Sequence, residues 1–166
     1  VKNIFLIIDH QNISSISLSI KNKFNNIDIN SDSLHKLLLE AKSCCKKTLE
    51  DLDIIHMKID QFYIDGTYFK TLPEKKKCNN LSVDVSYICL PKKISKTIED
   101  VLRKYQISLE RMLSLDYLNS FLDNKNENLY VIAQKILDGF NENEVFIAHK
   151  NSKKLGFFEK FFNFFN

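Results

Sequence analysis

Residues 81–91 read LSVDVSYICLP, and their alternation decides how the rest of the chain is read. Leu81, Val83, Val85, Tyr87 and Cys89 fall on one side of an extended backbone, and Ser82, Asp84, Ser86 and Ile88 fall on the other. That period of two is what a strand with one buried face requires. Pro91 closes the run, because proline cannot donate to a ladder. Just upstream, in IIHMKIDQFYIDG (54–66), Ile55, Met57 and Ile59 alternate with His56, Lys58 and Asp60 and run on through Phe62, Tyr63 and Ile64. Asp65-Gly66 then supplies turn chemistry. A lysine-rich loop separates these two strands.

Outward from this pair, Ile4–Ile8 is a β-type run, and Ile16, Leu18 and Ile20 alternate with serines, which predicts two adjacent strands. Asn30 and Asp32 offer N-cap chemistry before Leu34, Leu37, Leu38, Ala41 and Cys45, whose spacing predicts an amphipathic helix to about Leu49. Ser95 is placed to cap a second helix carrying Ile98, Val101, Leu102 and Tyr105, after which Ile107–Leu115 is expected to return to the sheet. The order of strands, helix, strands, helix and strand predicts an α+β domain: a small mixed or antiparallel sheet with helices on one face. Residues 124–128 form a polar linker. Leu129, Ile132, Ala133, Ile136 and Leu137 follow at helical spacing until Gly139.

Bulk composition points to a folded domain: 166 residues, 44% hydrophobic and 27% charged. A net charge of +3, with lysines in small clusters, gives no dense basic face of the kind that binds nucleic acid. The four cysteines, Cys44, Cys45, Cys78 and Cys89, lack zinc-ligand spacing and read as small apolar residues in a reducing compartment. The longest apolar run, Ile4–Ile8, is far shorter than the roughly 20 residues that span a bilayer. Membrane contact is therefore expected to be peripheral.

The segment Lys153–Asn166 holds six of the 13 phenylalanines. At about 100° per residue, Leu155, Phe157, Phe158, Phe161, Phe162, Phe164 and Phe165 occupy one half of a helical wheel. Gly156, Glu159, Lys160, Asn163 and Asn166 occupy the other. Such a helix would be roughly 21 Å long, too short to cross a hydrocarbon core of about 30 Å, and would lie in the interface. Lys153, Lys154 and Lys160 would sit at headgroup level. The competing reading is a helix docked on the chain's own core or on a partner.

Catalytic chemistry finds little footing. Asp9, His10, Asp60, Asp65 and Asp84 lie near predicted strand ends, but none has a partner at an informative spacing. With only Gly66, Gly139 and Gly156, no Gly-rich loop can cradle a phosphate. His56 sits mid-strand without a second metal ligand, and His35 and His149 read as surface residues. Neither a cofactor nor enzymatic activity is expected.

The stretch from Ile54 to Leu122, with IIHMKIDQFYIDG followed by LSVDVSYICLPKKISKTIEDVLRKYQISLERMLSLDYLNSFL, resembles subdomain 1C, the SHS2 module, of the bacterial cell-division protein FtsA. His56, Gln61, Phe62, Ile64, Asp65 and Gly66 fit the first element of that module, and Leu81–Ile88 fit the second. Tyr105–Leu109 and Ser114–Leu118 hold the later places. Asn3–Ile20 and Asp32–Ala41 resemble its opening strands and first helix. Leu129–Gly139 resembles a late helix of that family, and KKLGFFEKFFNFF resembles its membrane-targeting tail. The resemblance implies an interaction domain over 1–122, a linker and amphipathic helix over 123–152, and a membrane-targeting helix over 153–166. It implies a non-enzymatic divisome component at the septum, held on the cytoplasmic face of the inner membrane, with itself or other cell-division proteins as partners. The family's ATP site and its FtsZ-docking region belong to subdomains without a counterpart here, so neither ATP nor FtsZ is expected as a ligand. The alternatives are a soluble adaptor whose Phe-rich segment docks on a partner, and a relic of an actin-like ATPase binding nucleotide near Asp9.

Overall fold

The tight alternation of 81–91 becomes the centre of a sheet. The computed structural model describes residues 2–45, 47–73, 76–122 and 128–145. In chain order its elements are β1 (Lys2–Ile8), β2 (Ser14–Asp28), α1 (Ser31–Cys44), β3 (Leu52–Ile64), β4 (Thr67–Phe69), β5 (Lys77–Pro91), α2 (Lys92–Lys104), β6 (Ile107–Ser114), α3 (Leu115–Asn119) and α4 (Leu129–Leu137). The architecture is α+β. A four-stranded antiparallel sheet runs β2-β5-β3-β4, and β1 and β6 form a separate parallel pair.

β5 is paired on both sides, with Val85 opposite Leu18 of β2 and Ile59 of β3. Its inward residues Leu81, Val83, Val85, Tyr87 and Cys89 are fully buried. α1 lays Leu34, Leu37, Leu38 and Ala41 over them in one core. The first turn of α1 is closed by a reciprocal capping box. The Asn30 side chain accepts from the Ser33 backbone N–H at 2.9 Å, and the Asn30 N–H donates to Ser33 Oγ at 3.2 Å.

The alternate face of β5 is polar along Ser82, Asp84 and Ser86, then turns apolar at Ile88 and Leu90. There the rest of the chain packs. Ile88 joins Leu113, Tyr117, Leu118, Ile132, Ala133 and Ile136 from β6, α3 and α4. Leu90 joins Ile8, Met112, Ile94 and Ile98 from β1, β6 and α2. The helix α4 is thus built into the same body as the sheet.

Several expectations are revised by long-range contacts. The strands β1 and β2 follow one another in sequence but are not neighbours. β1 runs parallel to β6, with Lys2 opposite Ile107 and Ile8 opposite Ser114, whereas β2 pairs with β5. β6 accordingly joins β1 and not the four-stranded sheet. Ser95 does not cap α2. The helix begins at Lys92 after Pro91, and Ser95 is buried in its first turn, where its Oγ donates to the Asp53 carboxylate. The helix α1 ends at Cys44, short of Leu49, and Cys45 and residues 47–51 lie in turns. β4 follows Asp65-Gly66, whose φ angles of +49° and +83° are the left-handed pair that a two-residue hairpin needs.

Candidate functional site

A row of unpaired polar groups cannot stay buried, so the polar residues inside this core have to find one another. His56 projects from β3 into the interior and is 1% exposed. Its Nε2 accepts the Ser114 backbone N–H at 2.9 Å, which leaves the proton on Nδ1. Nδ1 donates to Glu144 Oε1 at 2.8 Å. Glu144, also 1% exposed, takes two further donors: the Arg111 guanidinium on Oε1 and the Tyr117 hydroxyl on Oε2 at 2.8 Å. Asn141 Nδ2 donates in turn to the Tyr117 oxygen at 2.8 Å, and the rings of His56 and Tyr117 lie 4.1 Å apart.

The electrostatics follow from this packing. Burial favours the uncharged imidazole and lowers the His56 pKa, against the pull of Glu144. For Glu144, burial works to raise the pKa, but the His56 hydrogen bond, the Arg111 charge and the Tyr117 hydroxyl together hold it below the usual carboxylate range. Burial and the adjacent Glu144 charge push the Tyr117 phenol up. At neutral pH the cluster is one carboxylate, one guanidinium, one neutral imidazole and one neutral phenol. Both imidazole nitrogens and both carboxylate oxygens are engaged. Such an arrangement holds chain segments together.

What it holds is the stretch 141–145. The Ile59 N–H donates to the Asn143 carbonyl at 2.8 Å, and the Val145 N–H donates to the Met57 carbonyl at 2.7 Å. The stretch therefore lies along β3 on the side not taken by β5, ahead of the place where β4 pairs. The Asn143 side chain donates to the Lys70 carbonyl at 2.9 Å.

The other residues singled out by sequence are scattered. Asp65 is exposed and accepts the backbone N–H groups of Asn80 at 2.8 Å and Asn79 at 3.0 Å, bonds that draw its carboxyl below the usual range. Asp60 and Asp84 lie on the polar sheet face, where Ser86 and Lys58 reach Asp60 and where Ser19 and Gln61 reach Asp84. Asp9 is exposed, and His10 Nδ1 accepts the Asn12 N–H at 3.1 Å. Cys44 is exposed, whereas Cys45, Cys78 and Cys89 are buried, with burial pushing the Cys89 thiol up to about 11. They behave as small apolar side chains. Among the described residues no three His, Cys, Asp or Glu side chains come close enough to hold a metal ion. The expected membrane-binding residues Lys153, Lys154, Leu155, Phe157, Phe158, Lys160, Phe161, Phe162, Phe164 and Phe165, and also His149, lie outside the described residues.

Sequence reading reached His56 but missed Glu144, Arg111, Tyr117 and Asn141. The available signal was indirect: a histidine inside an apolar strand demands a partner, and NENEV (141–145) sets one carboxylate beside a valine without any helical or strand period. No family model matches the chain, and no curated protein matches its sequence.

Proposed function

We propose that this chain is a peripheral membrane protein of the FtsA type, a non-catalytic cell-division component that binds itself or other division proteins at the cytoplasmic face of the inner membrane. The observation that carries the reading is the Phe face of 155–166, unbroken by a polar residue over those positions, following an α+β module in the order seen in that family. Each inserted Phe contributes about 1.5–3 kcal/mol when fully buried, enough for partial insertion to offset the ordering of a short helix. Lys153, Lys154 and Lys160 add attraction to anionic headgroups.

The buried clasp supports the reading from the other side. The chain is fixed to β3 through Glu144 and Val145 a few residues before Lys153. A membrane-bound segment beyond that point would be tethered to a rigid body and not to a fraying end. No helix among the described residues is long and apolar enough to cross a bilayer.

The test is co-sedimentation with anionic liposomes, comparing the full chain with one ending at Ser152. Pelleting of the full chain alone is the expected result. Changing Phe158 and Phe161 together to Asp is expected to abolish pelleting while leaving the unfolding transition unchanged. Equal behaviour of the full and shortened chains would move the Phe face to a protein interface and leave the adaptor reading ahead.

A further inference from the structure

The two edges of the four-stranded sheet are treated differently. On the β3 side the edge is closed by β4 and by the backbone of 143–145. On the other side β2, fifteen residues long, pairs with β5 alone, and among the described residues no strand meets its outer edge. Exposed strand edges template the addition of another strand, and folds usually blunt them. The blunting here is local. The ladder is irregular between Lys23 and Ile27, where Asn26 takes φ +49°, so the regular stretch is Ser14–Lys23.

We propose that this stretch is a self-association edge, at which two copies pair antiparallel across a two-fold axis through Leu18 to form one continuous eight-stranded sheet. The inference rests on the reading that the domain binds itself, and it names the surface. A two-fold through a residue pairs i with 36 − i, so the two positions always share parity. Side chains then stay on their own face, and amides pointing away from β5 meet amides that also point away. The inward face matches: Leu18 lies opposite Leu18, and Ile16 opposite Ile20. Ile16 and Leu18 pack on the core yet stay partly exposed, so a second copy would complete their cover. The outward face matches as well. Ser17 lies opposite Ser19, and Lys21 opposite Ser15, so no lysine faces a lysine. Moving the axis to Ser17 or Ser19 breaks the apolar set by placing Ile20 against Ser14 or Ile16 against Asn22.

The test uses the full chain without vesicles, so its outcome is independent of membrane binding by 153–166. Sedimentation velocity of the native protein over a concentration series should show a shift from the 19.5 kDa monomer to twice that mass. Ser17 and Ser19 are exposed, with Ser17 Oγ 3.1 Å from Ser86 Oγ and Ser19 Oγ donating to Asp84, so each substitution removes one side-chain hydrogen bond within the sheet, and urea unfolding of each variant beside the native chain shows that the fold is kept. The pair Ser17→Lys with Ser19→Lys sets like charges opposite each other twice and should leave monomer. Ser17→Glu with Ser19→Lys sets opposite charges together and should restore the dimer. Hydrogen exchange of the native chain should slow in 14–22 as concentration rises. A native chain that stays monomeric, a dimer indifferent to the like-charge pair, a charge-swapped pair that stays monomeric, or unchanged exchange in 14–22 overturns the proposal.

Discussion

His56 and Glu144, from β3 and from the stretch after α4, meet inside the core at 2.8 Å with both side chains sealed from solvent. The pair joins the middle of the chain to residues 141–145, and the Arg111 and Tyr117 donors complete it.

Removing the carboxylate should therefore be costly. Glu144→Ala strips His56, Arg111 and Tyr117 of a common acceptor at once. Breaking a buried pair from one side typically costs about 3–5 kcal/mol. Urea denaturation of the variant beside the native chain reads this directly, and a loss under about 1 kcal/mol would show that the cluster contributes little.

The same pair sets a pH response. The folded His56 pKa is lowered by burial, so its contribution is fully present above the ordinary value of 6.5 and is lost as pH falls through the folded pKa. Glu144, also lowered, adds a second loss below its ordinary 4.5. Stability should fall on acidification from pH 6.5, with a slope of up to about 1.4 kcal/mol per pH unit for one proton. In His56→Asn the upper part of that fall should flatten while the part below pH 4.5 remains, as thermal midpoints across pH would record.

Two turns carry opposite predictions. Gly66 has φ +83° with open space where a Cβ would stand, so Gly66→Ala loses about 1–2 kcal/mol through backbone strain alone. Gln106, just past the end of α2, is a non-glycine at φ +56°. Gln106→Gly relieves that strain, less the entropy of a freer unfolded chain, and should gain up to about 1 kcal/mol. Paired chemical denaturation curves check both signs.

Ile136 tests whether α4 shares one cooperative unit with the sheet. It is fully buried against Leu113, Tyr117 and Leu118. Ile136→Ala should cost about 2–5 kcal/mol and shift a single transition. Independent melting of α4, seen as a separate early step in circular dichroism, would contradict the shared core.

Local pattern carried most of the elements. The alternation at 81–89 and 55–64 yielded β5 and β3, Asp65-Gly66 yielded a turn but not the short strand β4 that follows it where a loop was expected, and the spacing of Leu34, Leu37, Leu38 and Ala41 yielded α1 with Asn30 before it. Pairing was not legible in the same way. Which partner Ile4–Ile8 chooses depends on the interior offered by β6, and nothing in the run itself distinguishes β2 from β6. Ser95 looked like a cap because a serine before an apolar period usually is one. Here Asp53 captures its hydroxyl, and the helix starts earlier, at Lys92, with Pro91 at the end of β5 as its N-cap residue. The clasp was half visible, since a histidine inside a strand announces a need but not the residue that meets it.

The parallel pairing of β1 with β6 has a consequence for how the molecule comes into being. Chains are synthesised from the N-terminus, and domains tend to fold as units while they emerge. β1 is made well before its partner β6, and β2, β3, β4 and β5 all emerge between the two. Until then Phe5, Ile7 and Ile8 have no strand beside them and only an incomplete interior to enter. Closing so large a loop precedes any reward from the contacts it makes, which is the circumstance that slows folding. A nascent chain of this protein therefore carries an open apolar strand at Ile4–Ile8 from the synthesis of β1 until that of β6.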